Sequence, residues 1–522
     1  MTRIYVTSGS CPKRFTIKTM KNILLSAVLV LVCFQFVTAQ DKAEAFDKYA
    51  EAARKTWNVP GMSVVIVQDG KVVLSKGYGV RELGKNEPVN AQTLFGCMST
   101  TKAMTAAALA MLVDEGKVSL DDKVTKYLPG FRVEDRYVTG DIRVRDLLTH
   151  NTGIGNADFL WAWTPELSSA DVVSRMQYAR QAYPLRGGFI YQNIMYLVAG
   201  QVIEKASGMS WERFITDRLF APLGMTNTYP NLSMSLKYAN RSSAHYEIKG
   251  KIQPIPEDVA DPIGPAGSVW STSDDMGKWI SFMLGNTTVN GKQLLKPETY
   301  RELLRPQVVI PPNGGFYPTA VLTKPHWTTY ALGWFQHDYR GEMVNFHTGS
   351  LDGRTAIIGL IPDKKLGIYI FGNLDHAEVR HALMYKAFDL FGFGDDSRDW
   401  STEAKSLYDG LKEKTKKQID AVKAKRVENT KTSLALADHA GKYFDPFYGT
   451  VEVIYTDGKL RLILSKDVTA DLTHWHFESF MATWSKAWWD ENLISFQLDP
   501  ATGEAASIDL DGAVFTKIKK TN

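Results

Sequence analysis

Three short stretches carry side chains able to do chemistry together. The first is Ser99-Thr100-Thr101-Lys102, a hydroxyl and an amine three positions apart, which share a face if a helix begins there. A serine hydroxyl is a weak nucleophile until a neighbouring base takes its proton. An amine serves as that base when burial and nearby positive charge keep it neutral, and a helix start favours negative charge at the serine oxygen. The second is Tyr191-Gln192-Asn193. A phenolate near a lysine shuttles protons, and an amide can fix both the lysine and a substrate carbonyl. The third is His347-Thr348-Gly349-Ser350, followed by Asp352-Gly353. A glycine at a strand end lets backbone approach a ligand, so the strand edge can dock a substrate as an added strand.

Each stretch has copies that context discounts. Ser10 to Lys13 repeats the first spacing, Tyr229-Pro230-Asn231 and Tyr238-Ala239-Asn240 repeat the second, and Asn151-Thr152-Gly153 after His150 mimics the third. Only Ser99 lies where an irregular run gives way to a long alanine-rich helical pattern. Tyr191 immediately precedes the apolar helical run Ile194 to Lys205, whereas its copies fall in an irregular stretch beyond Pro222-Leu223-Gly224-Met225. The copy at His150 reads as a turn capping local structure.

The elements that must position these stretches follow from apolar periodicity. Asp41 to Thr56 reads as a helix; Gly61 to Gln68 and Lys71 to Tyr78 read as strands joined by Asp69-Gly70, a hairpin signal. Ser99 to Glu115 takes helical spacing, with Gly116 as its stop. Further helical patterns lie near Asp171 to Ala182, Met195 to Lys205 and Trp211 to Leu219. Strand patterns return at Tyr330 to Gln336, Met343 to His347, Thr355 to Ile361 and Leu366 to Phe371. Strands at both ends of a helical middle imply one antiparallel sheet with helices packed on it, an α+β fold. Ser401 to Ser433, rich in lysine, glutamate and alanine, reads as a solvated helical linker, and Gly441 to Lys520 as a small antiparallel β domain. The expected division is therefore 40–397, a linker at 398–433, and 434–522.

A chain of 522 residues with 44% hydrophobic and 23% charged residues has enough apolar material for a large core plus an accessory domain. Residues 1–39 read as a leader containing a signal peptide, with a basic start at Lys21, an apolar run from Ile23 to Phe34, and a small-residue cut after Ala39, so that Met20 is an alternative start. The run is too short to span a bilayer comfortably, and bulky Val32 before Cys33 argues against a lipid anchor there. The expected location is the periplasm or the exterior. Arg3, Lys13, Arg14, Lys18 and Lys21 precede the cut, leaving 56 of the 61 basic residues against 57 acidic ones. That near-neutral balance excludes nucleic acid or an anionic membrane surface as an electrostatically driven partner. Cys97 is the one cysteine left beyond the leader and so has no internal disulfide partner; it reads as a small buried residue.

In the order serine-lysine, tyrosine-asparagine, histidine-threonine-glycine, the chain resembles the serine β-lactamase and penicillin-binding superfamily. The surrounding phrases agree: Leu147-Leu148-Thr149-His150, Pro222-Leu223-Gly224-Met225, and Gly267 through Trp270-Ser271-Thr272-Ser273-Asp274-Asp275-Met276. The resemblance spans about Ala45 to Leu374 and is strongest to the class C β-lactamase-like branch, which includes D,D-carboxypeptidases, D-aminopeptidases and esterases. It implies an acyl-enzyme on Ser99, proton transfer shared by Lys102 and Tyr191, substrate positioning by Asn193, His347, Thr348, Gly349 and Ser350, and an oxyanion hole from the backbone N–H groups of Ser99 and Ser350. His347 stands where the true class C enzymes carry a lysine, which favours a peptidase or esterase over a β-lactamase. The carboxy-terminal module is similar to the lipocalin-like domain of some members.

Weaker signals complete the reading. A carboxypeptidase needs a cation for the substrate carboxylate, and Arg340 and Arg354 flank the third stretch. His474-Trp475-His476 lacks a third metal ligand nearby, so no metal or other cofactor is expected. The tryptophans at 475, 484, 488 and 489 read as barrel core rather than as a sugar-binding face. The loops Asn156 to Trp163 and Ile310 to Trp327 are expected to shape the pocket. The partner is a small-molecule or peptide substrate; a binder or sensor that acylates without turnover is the reading from another class. Oligomeric state is not encoded in any pattern seen here.

Overall fold

Sequence-distant strands meet in one sheet, because both ends of the first 390 residues carry apolar runs that only each other can cover. The computed structural model describes residues 40–311 and 316–519; the expected leader lies outside them. The sheet has eight strands, with neighbours antiparallel, in the order Lys71–Gly79, Gly61–Gln68, Leu366–Gly372, Arg354–Ile361, Glu342–Leu351, Phe335–Tyr339, Thr328–Tyr330, Val308–Val309. Met62 pairs with Gly372 and Gln68 with Leu366, which joins the two ends. Gly61–Gln68 is buried along nearly its whole length. Val65 and Val67 face one core and Val64 and Ile66 the other, the pattern of a strand covered on both sides.

Over the first face lies the helix Thr101–Asp114, buried from Thr101 through Leu112 and therefore apolar all round. Its alanines leave room for Ile194–Ser207 to close against it. On the second face, the helix at residues 40–56 and the helix Val379–Ala387 bring Phe46, Ala50 and Leu383 against Ile66 and Ile368. The α+β architecture is the one its strand and helix patterns imply.

One expected strand is not continuous, and the helix expected to Ala182 ends at Arg175 with a tight turn at Met176–Tyr178. Tyr330 to Gln336 divides into the strands Thr328–Tyr330 and Phe335–Tyr339 around a buried turn. Gly333 in that turn has φ +84°, and a Cβ there would lie 3.1 Å from Ala103 Cα and from the Lys102 carbonyl oxygen. The turn is pressed onto the helix that carries Lys102, so its residues are apolar like strand residues and the alternation runs through it unbroken.

The helix Trp400–Lys423 buries only Trp400, Ser401 and Ala404 and leads to a closed eight-stranded antiparallel barrel, Gly441–Asp445 through Ala513–Lys517. Val453, Leu462, Phe480, Ile494 and Phe515 fill its interior. None of the four late tryptophans is fully buried there, contrary to the core reading. Trp475 lies under Arg426 at 4.7 Å, and Trp484 and Trp489 pack at the rim. Trp488 and Trp489 sit in a loop directed at the first unit, where aromatic surface is covered by another part of the chain instead of by the barrel. No helix among the described residues is long and apolar enough to cross a membrane.

Candidate active site

Ser99 sits in a single tight turn, Met98–Thr100, that runs straight into Thr101–Asp114. Met98 has φ +46°, a left-handed conformation strained for a side-chain-bearing residue. The turn leaves Ser99 partly exposed between buried Met98 and Thr100. Thr100 locks it: its hydroxyl donates to the Cys97 carbonyl at 2.8 Å and meets the Tyr369 hydroxyl at 2.6 Å. Cys97 lies beneath, and burial pushes its thiol up to about 12, so it holds no thiolate.

One helical turn on, Lys102 is completely buried. Its Nζ is 2.6 Å from Asn193 Oδ1, 2.9 Å from the Ala266 carbonyl oxygen and 3.0 Å from Ser99 Oγ. A neutral amine has two N–H bonds and one lone pair. Asn193 Oδ1 and the Ala266 carbonyl are acceptors only, so they take both N–H bonds and leave the lone pair facing Ser99. The Asn193 orientation is fixed in turn, since its Nδ2 lies 3.0 Å from both oxygens of Asp158. Burial lowers Lys102 to about 7, with the Asp158 charge opposing. The Tyr191 and Tyr196 rings flank the amine, their centroids 4.8 and 5.3 Å from Nζ.

Tyr191 is held well above the ordinary phenol value, first by burial and then by the neighbouring Tyr317, while its hydrogen bond with Ser99 opposes the shift. It is therefore a phenol at neutral pH and not the phenolate expected from its type. The Tyr191 ring lies 4.2 Å from that of His150. The His150 Nδ1 accepts the Gln192 backbone N–H at 3.0 Å, and burial keeps the imidazole neutral. His150, which precedes the Asn151-Thr152-Gly153 copy discounted as a turn, thus packs against the tyrosine ring.

The third stretch occupies the strand Glu342–Leu351. His347 is buried and lowered to about 3 by that burial, hence neutral; its Nδ1 donates to the Thr348 carbonyl at 2.7 Å and its Nε2 accepts from the Tyr330 hydroxyl at 2.9 Å. A Cβ on Gly349 would fall 2.4 Å from the Cys97 carbonyl oxygen and 3.1 Å from the Ser99 nitrogen. Only glycine lets this strand lie against the Ser99 turn. Residues 347–351 pair with residues 354–358 on one edge, whereas the partner strand on the other edge ends where Phe335 meets Phe346. The second edge of the motif is left free for a ligand. The Tyr317 hydroxyl bonds that of Thr348.

Ser99, Asp158, Trp161, Asn193, Ser350 and Leu351 line a cavity of about 170 Å³. A wider cleft of about 580 Å³ lies among Arg143, Arg145 and Arg186, whose guanidiniums are all engaged by Asp121, Asp141, Asp146 or Glu302. Of the two arginines proposed for a substrate carboxylate, Arg340 is held by Asp389 and Asp395 at 3.0 and 2.9 Å, and buried Arg354 pairs with Glu257 and stacks on Trp270. Arg340 is committed to groups of the chain itself, whereas Arg354 is engaged through Nη2 alone, its Nε and Nη1 being buried without a hydrogen-bond partner among the described residues. His474 and His476 are separated by a register slip and spent on the Phe477 carbonyl and the Val427 N–H; among the described residues no cluster of three or more His, Cys, Asp or Glu is placed to hold a metal.

A beta-lactamase family model matches residues 46–390, and a domain of unknown function, DUF3471, matches residues 425–521. The chain belongs to the beta-lactamase family. Its relatives include an unguisins hydrolase, ungD', of Aspergillus campestris, 27% identical over 80% of this chain and 79% of the relative, and protein flp of Staphylococcus aureus, 28% identical over 65% and 64%. The fold is similar to that of the octameric penicillin-binding protein homologue from Pyrococcus abyssi, with TM-score 0.59 and 21% identity over 90% of this chain and 98% of that one. This beta-lactamase family hydrolase carries three supports its motifs did not announce: Asp158 behind Asn193, His150 beneath Tyr191, and Arg380. Buried Arg380 donates from Nη1 to the Gly349 carbonyl at 2.5 Å and to Ser350 Oγ at 2.9 Å, with Glu378 3.1 Å from its Nη2. A polar residue inside the apolar helix pattern Val379–Ala387 was the available signal for Arg380.

Proposed function

We propose that this beta-lactamase family hydrolase is an exported enzyme that forms an acyl-enzyme on Ser99 from small amide or ester substrates. Peptidase or esterase action is favoured, with D-amino-acid peptides as the leading substrate class. The observation that carries this reading is the buried Lys102 amine, its Nζ 3.0 Å from Ser99 Oγ. In acylation the Ser99 oxygen bonds to the substrate carbonyl carbon and its proton passes to Lys102. The tetrahedral oxyanion is held by the backbone N–H groups of Ser99 and Ser350, which Gly349 allows to converge. The bond to the leaving nitrogen or oxygen breaks as the Tyr191 phenol supplies a proton, replenished from Lys102. Water then attacks the ester, gives up its proton along the same route, and frees Ser99.

The open edge beyond Phe346 suits an extended peptide backbone. A relative named an unguisins hydrolase agrees with a hydrolytic outcome. A neutral His347 supplies no fixed cation, which disfavours efficient β-lactam hydrolysis.

The test is a panel of a p-nitrophenyl ester, D-alanyl-D-alanine peptides, D-amino-acid amides and nitrocefin, given to the mature protein and to Ser99→Ala, with intact mass recorded. Turnover should fall at least about 10³-fold in the variant, with a covalent adduct only on the parent. Equal activity in both proteins would remove Ser99 from its role; a single adduct without turnover would make the protein a sensor, and preferred nitrocefin turnover a β-lactamase. Export is checked by N-terminal sequencing of the secreted protein, expected to begin at Gln40.

A further inference from the structure

The barrel grips both walls of the cavity beside Ser99. On one side, the loop between its strands Ser479–Trp484 and Asn492–Leu498 reaches two segments that line the cavity. The Trp488 and Trp489 indole N–H groups both donate to Asp352 Oδ2, at 2.6 and 3.0 Å, one residue beyond the cavity wall Ser350-Leu351. Lys486 pairs with Asp258 at 3.2 Å, two residues before Ala260, which lines the same cavity. The loop is itself braced: Trp484 donates to Asn492 at 2.8 Å and its ring lies 5.6 Å from that of Trp489. On the other side, the barrel's Tyr448 packs 5.3 Å from Trp163, at the end of the short helix Phe159–Ala162 whose Trp161 also lines the cavity.

Two indole donors converging on one carboxylate oxygen fix a loop in a way a single flexible ion pair does not, because rigid rings lose little rotamer freedom on docking. The carboxylate they hold terminates the strand whose Ser350 N–H must sit near 3 Å from a developing oxyanion, and displacements of about 1 Å at such a point cost about 10²-fold in rate. We propose that Trp488 and Trp489, acting through Asp352, are positioning residues of the active site: the barrel loop sets where Ser350 stands relative to Ser99. This rests on the reading of Ser99 as the nucleophile.

The experiment compares Trp488→Phe/Trp489→Phe, which keeps both rings and removes both donors, with Asp352→Leu and Asp352→Asn in the full chain. Steady-state ester hydrolysis, melting temperature and hydrogen exchange are measured for each. The double variant and Asp352→Leu should lose at least tenfold in kcat with KM within threefold of the parent, and exchange should quicken in peptides covering 345–353. Asp352→Asn, which keeps an acceptor, should recover most of the Asp352→Leu loss. Parent-like kcat and unchanged exchange in the double variant would overturn the proposal, as would an Asp352→Asn no better than Asp352→Leu. The exchange measurement needs no turnover, so a failed Ser99 assignment, seen in Ser99→Ala, is distinguished from a failed positioning role.

Discussion

At the scale of residues, the site depends on one amine being kept neutral by its surroundings. Burial lowers Lys102 from 10.5 to about 7, and that shift has consequences for rate and for stability. If Lys102 is the base, as proposed, its unprotonated form acts, and kcat/KM for an ester should rise with pH through about 7. The Asp158 charge favours the protonated form, so Asp158→Asn should move that midpoint to lower pH. The stability effect has the opposite origin. Below pH 7 Lys102 is protonated in both the folded and unfolded states and the full cost of burying the charge is felt; above 10.5 it is neutral in both and the cost is gone. Between these limits the unfolded chain binds more protons, so folding stability rises with pH, by up to about 1.4 kcal/mol per unit. Urea denaturation at pH 7, 8 and 9 should therefore show the parent gaining on Lys102→Met at each step. A gap independent of pH would mean that Lys102 titrates as an exposed lysine does.

At the scale of elements, close approach of backbone to backbone is what brings the three motifs together, and glycines mark the contacts. Gly349→Ala would drive a Cβ to 2.4 Å from the Cys97 carbonyl oxygen, where no flexible side chain can give way. The strand must lift from the Ser99 turn, and ester turnover should fall about 10²-fold or more. Gly410 is the counterexample: it lies exposed in the helix Trp400–Lys423 with nothing within 4 Å of an added Cβ. Gly410→Ala should stabilise the protein by about 0.5–1 kcal/mol in thermal denaturation and leave turnover unchanged. The same contrast explains what could be read in advance. Gly61–Gln68, Leu366–Gly372 and the alanine-rich helix are legible because burial on both faces writes a continuous apolar run into the chain. The turn around Gly333 is hidden because it is as buried as the strands it joins. Asp158, His150 and Arg380 act across 35, 42 and 31 residues of sequence, on Asn193, Gln192 and Gly349, from loops and a helix whose periodicity says nothing of their partners. The tryptophans of the barrel misled for a related reason: an apolar ring signals that something covers it, without saying which part of the chain.

At the scale of the molecule, the cores of the barrel and the sheet unit interlock: Phe447 of the barrel is buried in the core of the sheet unit, and Tyr448 packs against both cores. Trp163 belongs to the first unit by sequence and is buried among barrel residues, with Tyr448 against it. Arg175 extends from the helix Ser169–Arg175 to donate to the Tyr448 carbonyl at 2.6 Å and to the Phe447 carbonyl at 3.4 Å. A carbonyl pair satisfied by one guanidinium in a part-buried seam is a directional contact, and losing it strands both acceptors. With a shared aromatic contact and this seam intact, neither unit opens without exposing part of the other, so the whole chain should melt in a single calorimetric transition. Arg175→Ala combined with Tyr448→Ala removes the guanidinium and the half-buried ring at the seam while keeping every fully buried residue of both cores. The expected result is two transitions, with the barrel melting first, because the cluster of 17 buried residues inside it, Trp163 included, is far smaller than the clusters of 69 and 32 that flank the sheet. Since Trp163 caps the short helix Phe159–Ala162 that carries the cavity-lining Trp161, ester turnover should begin to fail with the first transition and not wait for the second. A double variant that still melts once, at the parent temperature, would show that the contacts it leaves, among them Trp163, Phe447 and the Trp488–Trp489 loop, suffice to couple the two units.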